Sequence, residues 1–200
     1  MIKNLIFDFG KVLVDYDFIS FFQKIIPDAE RCREFTKLLF NDQIEQELDR
    51  GVVTFDQSMQ RLIDSNPQFT EEIRLFSTRY QEIVTGEVPG MYNLLSQLKA
   101  KGYHLYGLTN WCQKVYETVQ NYPVFQLLDG YVVSSDVHFI KPEPDIYHCL
   151  YSKFSIKPEE CLFTDDRQKN ILGGAQTGMQ GVVFSNATQY EQELKKLSIL

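Results

Sequence analysis

The run Leu5-Ile6-Phe7-Asp8-Phe9-Gly10-Lys11-Val12-Leu13-Val14-Asp15 decides how the rest of the chain is read. Its first part is a short apolar segment that ends on a carboxylate. A near-continuous apolar run of this length is what a strand covered on both faces looks like. Four further runs share the pattern, at 103–109, 130–134, 161–165 and 181–184, and 4–9 is the first of the five. Helical spacing separates them. Met91, Leu94, Leu95 and Leu98 recur at i, i+3, i+4 and i+7 directly after the Pro89-Gly90 turn. A second helix is expected from Pro144, where proline suits the first turn, carrying Ile146, Leu150 and Tyr151. A third is expected from Gln168 to Gln176, with Gly178 suited to a left-handed cap. Strand and helix in alternation predict an α/β fold, a doubly wound, Rossmann-like parallel sheet.

Residues 16–85 break that alternation. The stretch is rich in Phe, Gln, Glu, Arg and Leu and reads as about four amphipathic helices without a convincing strand. It is expected to be a small all-helical cap inserted after strand one and folded over the sheet's edge. The core domain would then be residues 1–15 and 86–200, with hinges near Asp15 and Gly86.

Composition narrows the function classes. Lys and Arg number 20 against 27 Asp and Glu, a net charge of −7, which disfavours phosphate backbones and anionic lipid as partners. No apolar run approaches the roughly 20 residues of a membrane span, and the first residues lack the longer apolar stretch of a secretory signal. Cys32, Cys112, Cys149 and Cys161 form no CxxC pair, so reduced thiols in a cytoplasmic protein are expected rather than zinc or disulfides.

In an open parallel sheet, ligands bind beyond the carboxyl ends of the strands. Asp8, Thr109-Asn110 and Asp165-Asp166 occupy three of those ends, and Lys141 follows another in the loop Phe139-Ile140-Lys141-Pro142. A crowded acid cluster is costly unless a cation offsets it, and hard oxygen ligands suit Mg²⁺. A lysine beside them would neutralise an anionic substrate. Carboxylate nucleophile, Mg²⁺ and lysine are together the equipment for phosphoryl transfer through an aspartyl-phosphate.

Four segments, LIFDFGKVLVD (5–15), GLTN (107–110), FIKPEPDIY (139–147) and FTDDRQKN (163–170), resemble the four motifs of the haloacid dehalogenase superfamily, in order and across nearly the whole chain. The resemblance implies that Asp8 is the nucleophile and a magnesium ligand. It implies that Thr109 and the Asn110 amide hold the phosphoryl oxygens, and that Lys141 screens charge between nucleophile and phosphate. Asp166 would bind the metal directly and Asp165 directly or through water. Asn170, where many relatives carry an acid, would order the loop.

Gly10 departs from the pattern, because most phosphatases of the superfamily have there a second Asp that acts as general acid and base. Its carbonyl can still serve the metal. The opening is most similar to an FDxGxV branch that includes glucose 1-phosphate phosphatases. General acid–base help is worth about 10²–10⁴-fold, so a rate steeply dependent on leaving-group acidity is expected. A flat dependence would point to another acid, with Asp17 or Asp15 nearest. The expected activity is a Mg²⁺-dependent phosphatase acting on a small phosphomonoester such as a sugar phosphate. Two other readings stand beside it: a 2-haloacid dehalogenase, and a catalytically weak binding or regulatory member. The acid pair Asp165-Asp166 is pointless without a cation and favours phosphate. Trp111 is read mainly as packing and His138 as a surface histidine. Asp42, Gln43, Glu47 and Arg50 are read mostly as solvated faces of the cap. Oligomeric state stays open.

Overall fold

Leu5, Ile6 and Phe7 are all fully buried, so the strand they form is covered on both faces. That strand, β1 (Asn4–Phe7), is the middle of the sheet in the computed structural model, which describes residues 1–200. Next come β2 (Val14–Tyr16) and five helices: α1 (Phe18–Ile25), α2 (Ala29–Leu39), α3 (Asp42–Asp49), α4 (Phe55–Ser65) and α5 (Thr70–Thr78). The chain returns through β3 (Val84–Glu87), α6 (Met91–Ala100), β4 (His104–Thr109) and α7 (Val115–Asn121). It continues as β5 (Gly130–Val133), the single turn α8 (Ser134–Val137), α9 (Pro144–Phe154) and β6 (Cys161–Asp165). It ends with α10 (Gln168–Gln176), β7 (Gln180–Val183) and α11 (Ala187–Lys196).

Five strands form one parallel sheet in the order β5-β4-β1-β6-β7. The chain builds outward from β1 to one side and then to the other, so the crossovers diverge above β1 and leave a crevice there. Leu5, Phe7 and Leu105 face an apolar layer with α6 and α11, while Ile6, Tyr106 and Phe163 face one with α9 and α10. Met91, Leu94, Leu95 and Leu98 of α6 are buried, as their spacing requires. Pro144 opens α9, and Gly178 follows α10 with a positive φ of 93°.

Three expectations need correction. The first strand stops at Phe7 rather than residue 9: the Asp8 amide still donates to the Thr164 carbonyl at 2.9 Å. The chain then folds back, and the Phe9 carbonyl accepts from the amides of both Leu13 and Val14. The last strand, apolar in sequence, is largely exposed, because β7 is an edge that pairs only with β6. The ends of the insert, read as free of strand, carry one: Asp15 and Gly86, the expected hinge positions, pair in an antiparallel ribbon of β2 and β3. Strands of three and four residues leave too short a pattern to read from sequence.

Within the insert, side-chain caps start the helices. Asp17, Asp28, Asn41 and Thr54 each accept a hydrogen bond from a first-turn amide of α1, α2, α3 and α4 respectively. The inward faces carry phenylalanines: Phe22 meets Phe35 at 5.2 Å and Phe76 at 5.6 Å between ring centroids. No helix is long and apolar enough to cross a membrane.

Candidate active site

Register fixes what stands beside Asp8. Phe7 lies level with Gly107 of β4 and Thr164 of β6, so the chain leaves the sheet at Asp8 between the ends of those two strands. Lys141 arrives from the loop after α8 with its side chain buried. Its Nζ lies 2.9 Å from Asp8 Oδ1 and 2.7 Å from Asp165 Oδ2, and donates to the Leu108 carbonyl at 2.9 Å. All three ammonium protons therefore have acceptors and the charge cannot wander.

Neighbouring side chains hold this arrangement. The Asn110 carboxamide clamps the backbone of Lys141, donating to its carbonyl at 3.1 Å and accepting from its amide at 2.8 Å. Asn170 Nδ2 lies 3.0 Å from both oxygens of Asp165, and the Arg167 amide donates to Asp165 Oδ1 at 2.8 Å. Asp165 thus has both oxygens occupied, whereas Asp166 is half-buried at the cavity wall without a hydrogen bond or ion pair. Asp8 Oδ1 also accepts from the Phe9 amide at 2.7 Å, which leaves Oδ2 free.

The structure brings every residue singled out at the strand ends into one crevice: Asp8, Gly10, Thr109, Asn110, Lys141, Asp166 and Asn170 line it, with Asp165 directly behind. Carboxylate oxygens of Asp8, Asp165 and Asp166 lie within 4.8 Å of one another. Burial pushes the Asp8 carboxyl up to about 7; Lys141 pulls against this and Asp165 adds to it. Burial, then Asp165, raises Asp166 as well. Burial opposes the charge on Lys141, but Asp8 and Asp165 hold it above the ordinary lysine value. One ammonium is too little for three crowded carboxylates, so the donor set fits a hard divalent cation. Two loose ends agree. The Gly10 carbonyl accepts no hydrogen bond, and Asn170 Oδ1 is buried without a partner. The amides of Gly10 and Asn110 and the Thr109 hydroxyl are likewise free to donate within the crevice.

The place of a side chain at position 10 is already taken. A Cβ on Gly10 would lie 2.8 Å from Cε1 of Tyr16, whose ring fills that corner of the cavity. Neither aspartate named as a substitute acid is free. Asp15 pairs with Lys11, and Asp17 accepts from the Ser20 amide at 2.9 Å and its hydroxyl at 2.6 Å.

The insert's contribution differs from the sequence reading. Arg50 is no solvated residue: it forks onto Glu143, with one contact at 3.1 Å, and its carbonyl lies 2.7 Å from His138 Nδ1. His138 is therefore engaged, at a positive φ of 64°. Gln43 pairs outward with Glu47. Glu45 and Asp49 line the cavity and were missed. The apolar pair Ile44 and Leu48 marks that face of α3, and its immediate neighbours at the same spacing were the available signal. Burial, with Glu45 adding, pushes Asp49 up to about 7. Trp111 does wall the cavity, its Nε1 donating to the Tyr80 hydroxyl at 2.8 Å.

Known proteins are similar to this chain in sequence and fold. A D-ribitol-5-phosphate phosphatase of Bacteroides thetaiotaomicron is 28% identical, over 97% of both chains. A HAD-like family hydrolase from Porphyromonas gingivalis superposes with a TM-score of 0.77 at 20% identity, covering 99% of this chain and 98% of that one. A HAD family enzyme of Bacteroides thetaiotaomicron, crystallised with magnesium and inorganic phosphate, superposes at 0.73 with 21% identity over 94% and 96%. The family model for haloacid dehalogenase-like hydrolases matches residues 2–178, a span that begins before β1 and takes in all four strand-end motifs. With sequence match and architecture in agreement, this chain belongs to the haloacid dehalogenase-like hydrolases.

Proposed function

We propose that the protein is a Mg²⁺-dependent phosphomonoesterase that works through an aspartyl-phosphate on Asp8. The observation that carries this reading is the buried Asp8–Lys141–Asp165 chain beside the free carboxylate of Asp166. Asp8, Asp166 and the Gly10 carbonyl would hold the metal, and Asp165 would serve from behind, its oxygens being spent on Lys141 and Asn170. When bound, Mg²⁺ neutralises charge on the phosphoryl oxygens.

The free Oδ2 of Asp8 attacks phosphorus while Lys141 fixes Oδ1. The Thr109 hydroxyl and the amides of Gly10 and Asn110 donate to the oxygens of the phosphoryl group in flight. The P–O bond to the leaving oxygen breaks, and the alkoxide takes a proton from solvent water. A second water attacks phosphorus of the aspartyl-phosphate, giving its proton back to solvent as phosphate is released and Asp8 restored. With Gly10 in place of an acid, the alcohol departs without help from that position, so aryl phosphates should be turned over faster than alkyl ones.

The test is hydrolysis of p-nitrophenyl phosphate, an ester whose leaving group departs easily. Wild-type turnover should require Mg²⁺ and stop with EDTA, and Asp8→Asn should lower it by at least about 10³-fold. Mg²⁺ should also raise the melting temperature of the wild type, a readout independent of activity. Absence of turnover with Mg²⁺ still binding would move the protein to the regulatory class, and turnover indifferent to EDTA would remove the metal.

A further inference from the structure

The crevice at Asp8 and the space beneath the helical insert form one cavity of about 460 Å³, a size that suits a small organic ligand. Its far wall is built by helical spacing: Ile44 with Leu48 on α3, and Phe55 with Met59 on α4. Phe18 and Phe40 close the side, their rings 5.3 Å apart and T-shaped. Phe40 is 42% exposed, and Ile19 beside it is 45% exposed. Large apolar side chains left open at the mouth of a catalytic crevice gain from being covered.

Polar groups on that wall are few and mostly acidic. The insert contributes Asp17, Glu45, Asp49 and the Tyr16 hydroxyl, and the Tyr80 hydroxyl is already committed to Trp111. It contributes no Asn, Gln, Ser, Thr, Lys or Arg side chain. Asp17 caps α1 with both oxygens in use. Burial raises Glu45 and Asp49 toward their neutral forms. A polyol placed against this wall would lose water from several hydroxyls and regain few partners there. Against the insert a second phosphate would meet acids, and the cavity's cations, Lys141, Arg167 and Lys169, all stand on the core side.

We infer that the cavity under the insert takes the uncharged, apolar body of the substrate, so that the enzyme prefers monophosphate esters of apolar alcohols over polyol phosphates. Phosphate sits at Asp8, and the carbon skeleton lies against Phe18, Phe40, Leu48 and Met59. This rests on the phosphatase reading and narrows it to one substrate class.

A series of n-alkyl phosphates from ethyl to octyl, kept below their micellar concentrations and assayed with Mg²⁺ beside ribitol 5-phosphate, tests the inference. Leaving-group chemistry is nearly constant along the series, so its slope reports the cavity alone. We expect kcat/KM to rise about two- to fourfold per added methylene, from roughly 0.8 kcal/mol per buried CH₂, until the cavity is full. Leu48→Gln should flatten the slope. A flat wild-type series, or ribitol 5-phosphate above octyl phosphate, overturns the inference while p-nitrophenyl phosphate turnover keeps the phosphatase reading intact. Loss of p-nitrophenyl phosphate turnover itself would overturn both.

Discussion

At position 10 a single hydrogen stands where a carboxyl was looked for, and Tyr16 explains why one cannot be added alone. The tyrosine ring lies where the side chain would begin, with 2.8 Å between the would-be Cβ and Cε1. Gly10→Asp should therefore destabilise the protein by about 1–3 kcal/mol in denaturant melts through overpacking. Adding Tyr16→Ala should recover part of that loss, with a coupling of about 0.5–3 kcal/mol between the two sites. Additive losses would show that the ring moves aside freely. The sequence displayed Gly10 plainly, together with Asp8, Lys141, Thr109 and the acid pair. It did not display Tyr16 as the neighbour of Gly10, because that contact depends on the fold-back at Phe9. Asp49 was hidden for a related reason. On a helix where Asp42, Glu45, Glu47 and Asp49 are four of the eight residues, the apolar pair Ile44 and Leu48 narrows the inward face and packing selects Glu45 and Asp49.

At the level of elements, the connection after α3 is where the insert touches the core. Gly51 has a φ of +62°, and a Cβ there would stand 2.2 Å from the Ser135 carbonyl oxygen. The next residue back, Arg50, forks onto Glu143 and accepts at its carbonyl from the region of His138. Gly51→Ala thus combines a disfavoured backbone region with a collision against main chain. It should lower the melting temperature and raise KM more than kcat falls, because the wall containing Leu48 and Asp49 is displaced. Arg50→Ala removes a partly exposed ion pair and should cost less, about 1 kcal/mol or below. If the two variants behave alike, close approach at Gly51 is not what seats the insert. Elements of the sheet were legible because buried strands and α6 announce themselves by spacing; the ribbon of β2 and β3 and this docking loop are too short to carry a period.

Over the whole molecule, stability should depend on pH in a way that Asp49 sets in part. Its folded value of about 7 stands above the ordinary 3.8. The folded state therefore binds that proton more tightly than the unfolded chain does. Stability from this group is fully present below about pH 3.8 and is lost as pH rises through 7. At about 1.4 kcal/mol per pH unit, the gap caps the loss at about 4 kcal/mol, and partial solvent access brings it down to about 1–2 kcal/mol. Asp49→Asn should accordingly stabilise the protein at pH 8 and change little at pH 4, as read from melting curves at both values. Equal effects at the two pH values would mean that the carboxyl ionises freely.

The ribbon that joins the insert to the sheet has a mechanical consequence. Asp15 pairs with Gly86 and Val14 with Glu87, so the outgoing and returning strands are tied together where they leave the sheet. They cannot swing separately. Any excursion of the five helices has to flex both strands about one axis, like a door on a single pin, and the Arg50–Glu143 fork away from that pin is its catch.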